Sequence, residues 1–172
     1  MKKTPSFESI KLLAFDYDGV FTDGTILITD DGHMLRSAHA RDGFAIQWAR
    51  KQGVQIAVIT GGKEESVGDR MRGLGVEEVH LHSHDKITVL KQICSRLNMG
   101  LQEVAYMGDD LPDLPVLNAV GLACCPEDAA PEILAASEYI SPKPGGKGCV
   151  RDLVELFMKS RGIWSAPGQE NW

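Results

Sequence analysis

The sequence lacks an excess of basic residues. Its 18 lysines and arginines are outnumbered by 24 aspartates and glutamates, giving a formal net charge of -6. That balance argues against a nucleic-acid binder or a protein drawn to an anionic membrane surface. No apolar run is long enough to cross a bilayer. The first residues, MKKTPSFESIK, carry charge without the apolar core of a signal peptide, so a cytoplasmic location is expected. None of the four cysteines (Cys94, Cys124, Cys125 and Cys149) has CxxC spacing. Buried free thiols are therefore expected, rather than disulfides or zinc ligands. Internal repeats and a second domain are absent too, and 172 residues suffice for one substantial core.

What is present is alternation. Short apolar stretches, KLLAFD from Lys11, VQIAVIT from Val54, EEVHLH from Glu77, EVAYMGD from Glu103, GLACC from Gly121 and EYIS from Glu138, alternate with helix-length segments. The helical patterns include DGFAIQWARKQG, KEESVGDRMRGLG, DKITVLKQICSRLN and a closing GCVRDLVELFMKSRG. Continuous apolar strands separated by helices predict an α/β protein, a Rossmann-like doubly wound parallel sheet, here one domain over residues 8–162. The stretch from about 25 to 40 breaks the pattern. Two apolar runs flank Asp30-Asp31-Gly32, which predicts a projecting β-hairpin. A lone hairpin is marginal in water, so Ile26, Ile28 and Leu35 need cover, for which another subunit is the natural source. PKPGGKG, from Pro142, reads as a mobile loop, and residues 163–172 read as a flexible tail.

Ligands of such sheets bind beyond the carboxyl ends of the strands. There the first strand offers Asp16 and Asp18, the second Thr60-Gly61-Gly62, the third leads to His84-Asp85-Lys86, and the fourth to Gly108-Asp109-Asp110, with Asp113 beyond. The two-residue spacing of Asp16 and Asp18 directs both side chains to one side of an extended chain. Like charges so close repel unless a cation is present, and an oxygen-rich set of this kind suits Mg²⁺. A magnesium ion also lets an anionic substrate approach an acidic site. Lys86 at a helix start is better placed if it faces an anion such as a phosphate or Asp16. Thr60 and the two glycines offer a hydroxyl and backbone N–H groups, a plausible phosphate cradle. These parts suit phosphoryl transfer with a carboxylate nucleophile and a second carboxylate as acid/base.

DYDGVFTDG, ITGG, the lysine of HDK and GDDLPD resemble, in order, the four motifs of the haloacid dehalogenase superfamily, in its DxD phosphatase branch. The resemblance implies Asp16 as nucleophile, Asp18 as general acid/base, and Thr60 and Lys86 on the transferring phosphoryl group. It implies that Asp16, the Asp18 backbone carbonyl and Asp109 hold Mg²⁺, supported by Asp113 and Asp110. The hairpin, ARDGFAIQWA, YMGDDLPDLPVL and PKPGGKGCVRDLVE further resemble the 3-deoxy-D-manno-octulosonate 8-phosphate phosphatases, over residues 8 to 162. Those enzymes have no separate cap domain and form homotetramers through their hairpins, and no insertion here is long enough to be a cap. The implied substrate is a small sugar-acid phosphate.

One position departs from that group. After ITG the octulosonate enzymes usually carry arginine and a nonulosonate type carries glutamate, whereas this chain has Gly62 followed by Lys63. Lys63 or Arg70 is a candidate to take the missing part, with Asp42 and Gly43 as further candidate substrate contacts. Phosphatases of nonulosonate 9-phosphates therefore remain an alternative, as does a related oligomerisation module without activity. Some residues have plainer readings. Asp23 suits a turn, Asp42 an N-cap for its helix, and Asp110 the orientation of a neighbour. His80, His82 and His84 alternate, but no cysteine or carboxylate completes a zinc site by spacing.

Overall fold

A computed structural model describes residues 5–165. In chain order the principal elements are β1 (Leu12–Phe15), β2 (Leu27–Ile28), β3 (Met34–Leu35), α1 (Ala40–Lys51), β4 (Gln55–Ile59), α2 (Glu65–Gly73) and β5 (Glu78–His80). They continue with α3 (Lys86–Arg96), β6 (Val104–Met107), α4 (Leu114–Leu117), β7 (Leu122–Cys125), α5 (Pro131–Ala136), β8 (Tyr139–Ile140) and α6 (Cys149–Ser160). Six strands form one parallel sheet in the order β5-β4-β1-β6-β7-β8. β2 and β3 form a separate antiparallel ribbon.

The sheet is apolar on both faces because both are covered. Leu13 and Phe15 of β1 point into a core shared with α1, α2 and α6. Leu12 and Ala14 point the other way, into a core built with α3, α4 and α5. All four are fully buried, and each large apolar side chain so removed from water contributes about 1.5–3 kcal/mol. α6 buries Cys149, Val150, Leu153, Val154, Phe157 and Met158, the three-and-four spacing of an amphipathic helix. α3 starts where Asp85 accepts a hydrogen bond from Thr88 N at 3.2 Å.

The order places β1 between β4 and β6, so the chain leaves the middle of the sheet in both directions. The crevice at that reversal opens above the carboxyl end of β1. No separate cap covers it among the described residues.

Three expectations change in detail. The hairpin is shorter than residues 25–40, with two residues in each strand. PKPGGKG is docked, not free. Gly146 N donates to Val20 O at 2.9 Å, and a Cβ at Gly145 would stand 2.0 Å from Gly19 O, so only glycine permits this approach. The start of the segment 163–172 also belongs to the fold: Trp164 is buried and its carbonyl accepts from Trp48 Nε1 at 3.0 Å. Residues 166–172 of that expected tail lie outside the described residues. All four cysteines are buried and free.

Candidate active site

The carboxyl ends of β1, β4 and β6 converge on a crevice of about 420 Å³. Asp16, Asp18, Thr60, Gly61, Gly62, Lys86, Asp109, Asp110 and Asp113 all line it. Asp16 leaves β1 with its carboxylate anchored at both oxygens: Oδ1 accepts from Tyr17 N at 2.7 Å, and Oδ2 lies 2.8 Å from Lys86 Nζ. Lys86 bridges to Asp113 Oδ1, also at 2.8 Å. Its burial alone would lower the ammonium pKa, but the two carboxylates outweigh that and raise it, so the cation is held.

Asp113 is fully buried and its oxygens are claimed. Oδ1 accepts from Lys86 Nζ and from Tyr106 Oη at 2.6 Å, and Oδ2 accepts from the backbone N–H of Asp109 at 3.1 Å and of Asp110 at 3.4 Å. It fixes the loop that carries Asp109. Asp110 caps the following turn by accepting from Leu111 N at 2.8 Å. Thr60 is buried, and its Oγ1 accepts from Gly62 N at 3.1 Å, which bends Thr60-Gly61-Gly62 around the crevice.

Oxygen atoms of Asp16, Asp109 and Asp113 lie within 4.8 Å of one another. Burial, then the charge of Asp113, pushes the Asp109 carboxyl up to about 7, and the same two causes raise Asp16. Carboxylates held away from their ionised form in this way are what a divalent cation would restore. The donor set is all oxygen, which fits Mg²⁺. Gly19, at φ +78°, belongs to the same design: a Cβ there would stand 1.9 Å from Asp109 Oδ2.

The remaining candidates fall elsewhere. Asp42 is not in the crevice and does not cap its own helix, which begins at Ala40. It is fully buried and caps α6 instead, accepting from Arg151 N at 2.8 Å. Gly43 is buried in α1, where a Cβ would meet Arg70 Nη2 at 3.0 Å. Lys63 is exposed and does not line the crevice. Arg70 lines a separate cavity of about 330 Å³ with Tyr17 and Arg36. Another cavity, of about 360 Å³ near the start of α6, holds Arg41, Lys143 and Lys147 but none of the clustered aspartates.

Three residues escaped the sequence reading. Thr22 is buried, with Oγ1 accepting from Gly19 N and Gly24 N, both at 3.2 Å, which closes the catalytic turn. Ser83 lines the crevice. Arg36 makes an ion pair with Asp18, Nε to Oδ1 at 2.7 Å. Thr22, within DGVFTDG, could have been suspected as a turn hydroxyl; the contact of Arg36 had no local signal. Asp23 is a turn residue, accepting from Thr25 N at 3.0 Å. The histidines do not form a row: His80 bonds Glu78 at 2.8 Å, and His82 lies beyond the strand at φ +53°.

A family of haloacid dehalogenase-like hydrolases matches residues 76–151. The chain is 35% identical to the 3-deoxy-D-manno-octulosonate 8-phosphate phosphatase KdsC of Escherichia coli K12 over 163 residues, 94% of this chain and 87% of that protein. The solved phosphatase of the same name from Yersinia pestis has a TM-score of 0.90 at 32% identity, covering 93% of this chain and 86% of that one. The Moraxella catarrhalis phosphatase, solved with magnesium, phosphate and KDO, has a TM-score of 0.88 at 33% identity, covering 92% and 91%.

Proposed function

This chain belongs to the haloacid dehalogenase-like hydrolases, and we propose that it hydrolyses 3-deoxy-D-manno-octulosonate 8-phosphate to the free sugar acid and phosphate, with Mg²⁺ as cofactor. The observation that carries the reading is the contact of one lysine, Lys86, with both Asp16 and Asp113 at 2.8 Å, at the meeting point of three strand ends. A nucleophile held this way has its position fixed before substrate arrives.

Asp16 attacks phosphorus and forms an aspartyl-phosphate. Lys86 and the Thr60 hydroxyl, with the N–H groups of the glycine turn, neutralise and orient the phosphoryl oxygens. Asp18 gives a proton to the departing alkoxide and takes one from the water that hydrolyses the intermediate. Asp16, the Asp18 carbonyl and Asp109 would hold the ion, and Asp113 and Asp110 support them. When bound, Mg²⁺ supplies charge neutralisation between carboxylates and phosphate.

The wider reading follows from the rest of the molecule. The exposed apolar residues Ile26, Leu27, Ile28, Met34 and Leu35 support assembly through the hairpin, and we place the enzyme as a homotetramer in the cytoplasm. Among the described residues no helix is long and apolar enough to cross a membrane.

Phosphate release from a panel of sugar phosphates, with Mg²⁺ present and then chelated, tests the proposal. The octulosonate ester should be turned over fastest, and chelation should abolish release. Gly62 matches neither family pattern and so retains one second reading, a nonulosonate 9-phosphate phosphatase, which faster release from that ester would establish. Release from no ester would leave an oligomerisation module, a reading that the intact aspartates and lysine argue against.

A further inference from the structure

The hairpin is followed by a residue that the catalytic motifs do not include. Arg36 comes directly after β3, at the foot of an exposed ribbon, yet its side chain is only 8% exposed. Its contacts define one posture. Nε donates to Asp18 Oδ1 at 2.7 Å, Nη1 lies 3.2 Å from Glu64 Oε2, and Nη1 donates to Met34 O at 3.1 Å. Thr22 Oγ1 donates to the same Asp18 oxygen at 3.4 Å. Every side-chain bond to the Asp18 carboxyl thus falls on Oδ1, and Oδ2 is unclaimed among the described residues.

We propose that Arg36 is a positioning residue for the acid/base: it pins one oxygen of Asp18 and leaves the other to carry the proton. The proposal rests on the phosphatase reading above. In the first step the bond from the Asp16 carboxylate to phosphorus forms as the ester P–O bond breaks, and the proton on Asp18 Oδ2 passes to the departing alkoxide. In the second step water oxygen bonds to phosphorus, the P–O bond to Asp16 breaks, and the water's proton returns to Oδ2. A planar guanidinium anchored on Asp18, Glu64 and a carbonyl restrains carboxyl orientation as a freely rotating ammonium does not.

The test uses leaving-group dependence. An alkyl phosphate needs the proton as its ester bond breaks, whereas p-nitrophenolate departs as an anion and needs it far less. The readout is the ratio of kcat/KM for the best alkyl phosphate of the panel to kcat/KM for p-nitrophenyl phosphate, in the full chain with Mg²⁺. Arg36→Met keeps the buried stem and should lower this ratio about 30-fold, less than the roughly 10²–10⁴-fold of a whole general acid because Asp18 itself remains. Arg36→Lys keeps a cation but loses the planar fork, and should lower the ratio about fivefold. A ratio unmoved in Arg36→Met overturns the proposal however far both rates fall, because a merely structural role slows both esters alike. Should Arg36→Met fail to fold, an unmoved ratio in Arg36→Lys overturns it instead. Failure of the unaltered chain to hydrolyse any ester would be failure of the phosphatase reading, visible before any variant is made.

Discussion

The crevice and the hairpin invert the usual distribution of residues in opposite senses. In the crevice, carboxylates are buried: Asp16 is 8% exposed and Asp113 is 0%. On the hairpin, aliphatic side chains face water: Leu27 is 62% exposed and Ile28 is 71%. Burying an acid and exposing a leucine both cost free energy, and neither is relieved within the chain alone. The crevice compensates in part, through Lys86, Tyr106 and backbone N–H groups, and its residual strain shows in the raised pKa values of Asp16 and Asp109. The hairpin makes no such compensation. The difference teaches that buried charge here is met by partners inside the fold, whereas the exposed aliphatic side chains meet none among the described residues.

Substitutions can break this contrast at either end. The largest effect is expected from Asp16→Asn. Turnover should fall by about four orders of magnitude or more because the covalent step is lost, while circular dichroism and sedimentation remain those of the native protein. Near-native phosphate release would reject the nucleophile. Asp113→Ala tests how far the crevice depends on its own compensation. It strips a buried ammonium and a buried phenol of an acceptor, so urea denaturation should register a loss of about 3–5 kcal/mol. A loss under about 1 kcal/mol would mean water replaces the carboxylate.

On the hairpin the expectation reverses. Leu27→Ser combined with Ile28→Ser should leave the stability of the subunit within about 0.5 kcal/mol, yet sedimentation should report a smaller particle. An unchanged mass would remove the hairpin from the interface. The smallest effect lies on β5. Burial tends to raise the Glu78 pKa, but Arg96 and His80 outweigh it and hold the carboxyl below the usual glutamate range. A depressed carboxyl stabilises above its unfolded pKa, near 4.3, and that stability is lost as pH falls through the folded value. Glu78→Gln should therefore cost no more than about 0.5 kcal/mol at neutral pH, because the group is partly screened. Thermal melts from pH 7 to pH 3 should converge for the two proteins.

The sheet was legible because its strands carry near-continuous apolar runs that end in polar motifs. Local spacing was enough to bring Asp16, Thr60, Lys86 and Asp109 to one crevice. Asp42 stands at the start of a helix pattern, where a carboxylate reads as a cap for that helix; its actual partner, Arg151 N, is 109 positions away in sequence. Lys63 and Arg70 are the nearest cations in sequence to Gly62, but Arg70 lines another cavity and Lys63 lies on the surface. Arg36 was invisible for the opposite reason. It lies 18 residues from Asp18, and only the return of the hairpin brings them together.

The seating of residues 145 and 146 against residues 19 to 22 has an engineering consequence. New termini opened inside PKPGGKG would cut none of the four motifs that line the crevice, yet would release the backbone clamp on the turn that carries Asp18 and Thr22. A circular permutant opened there should keep its helices and sheet but lose catalytic rate, whereas one opened at the tip of the hairpin, around Gly32, should keep that turn intact.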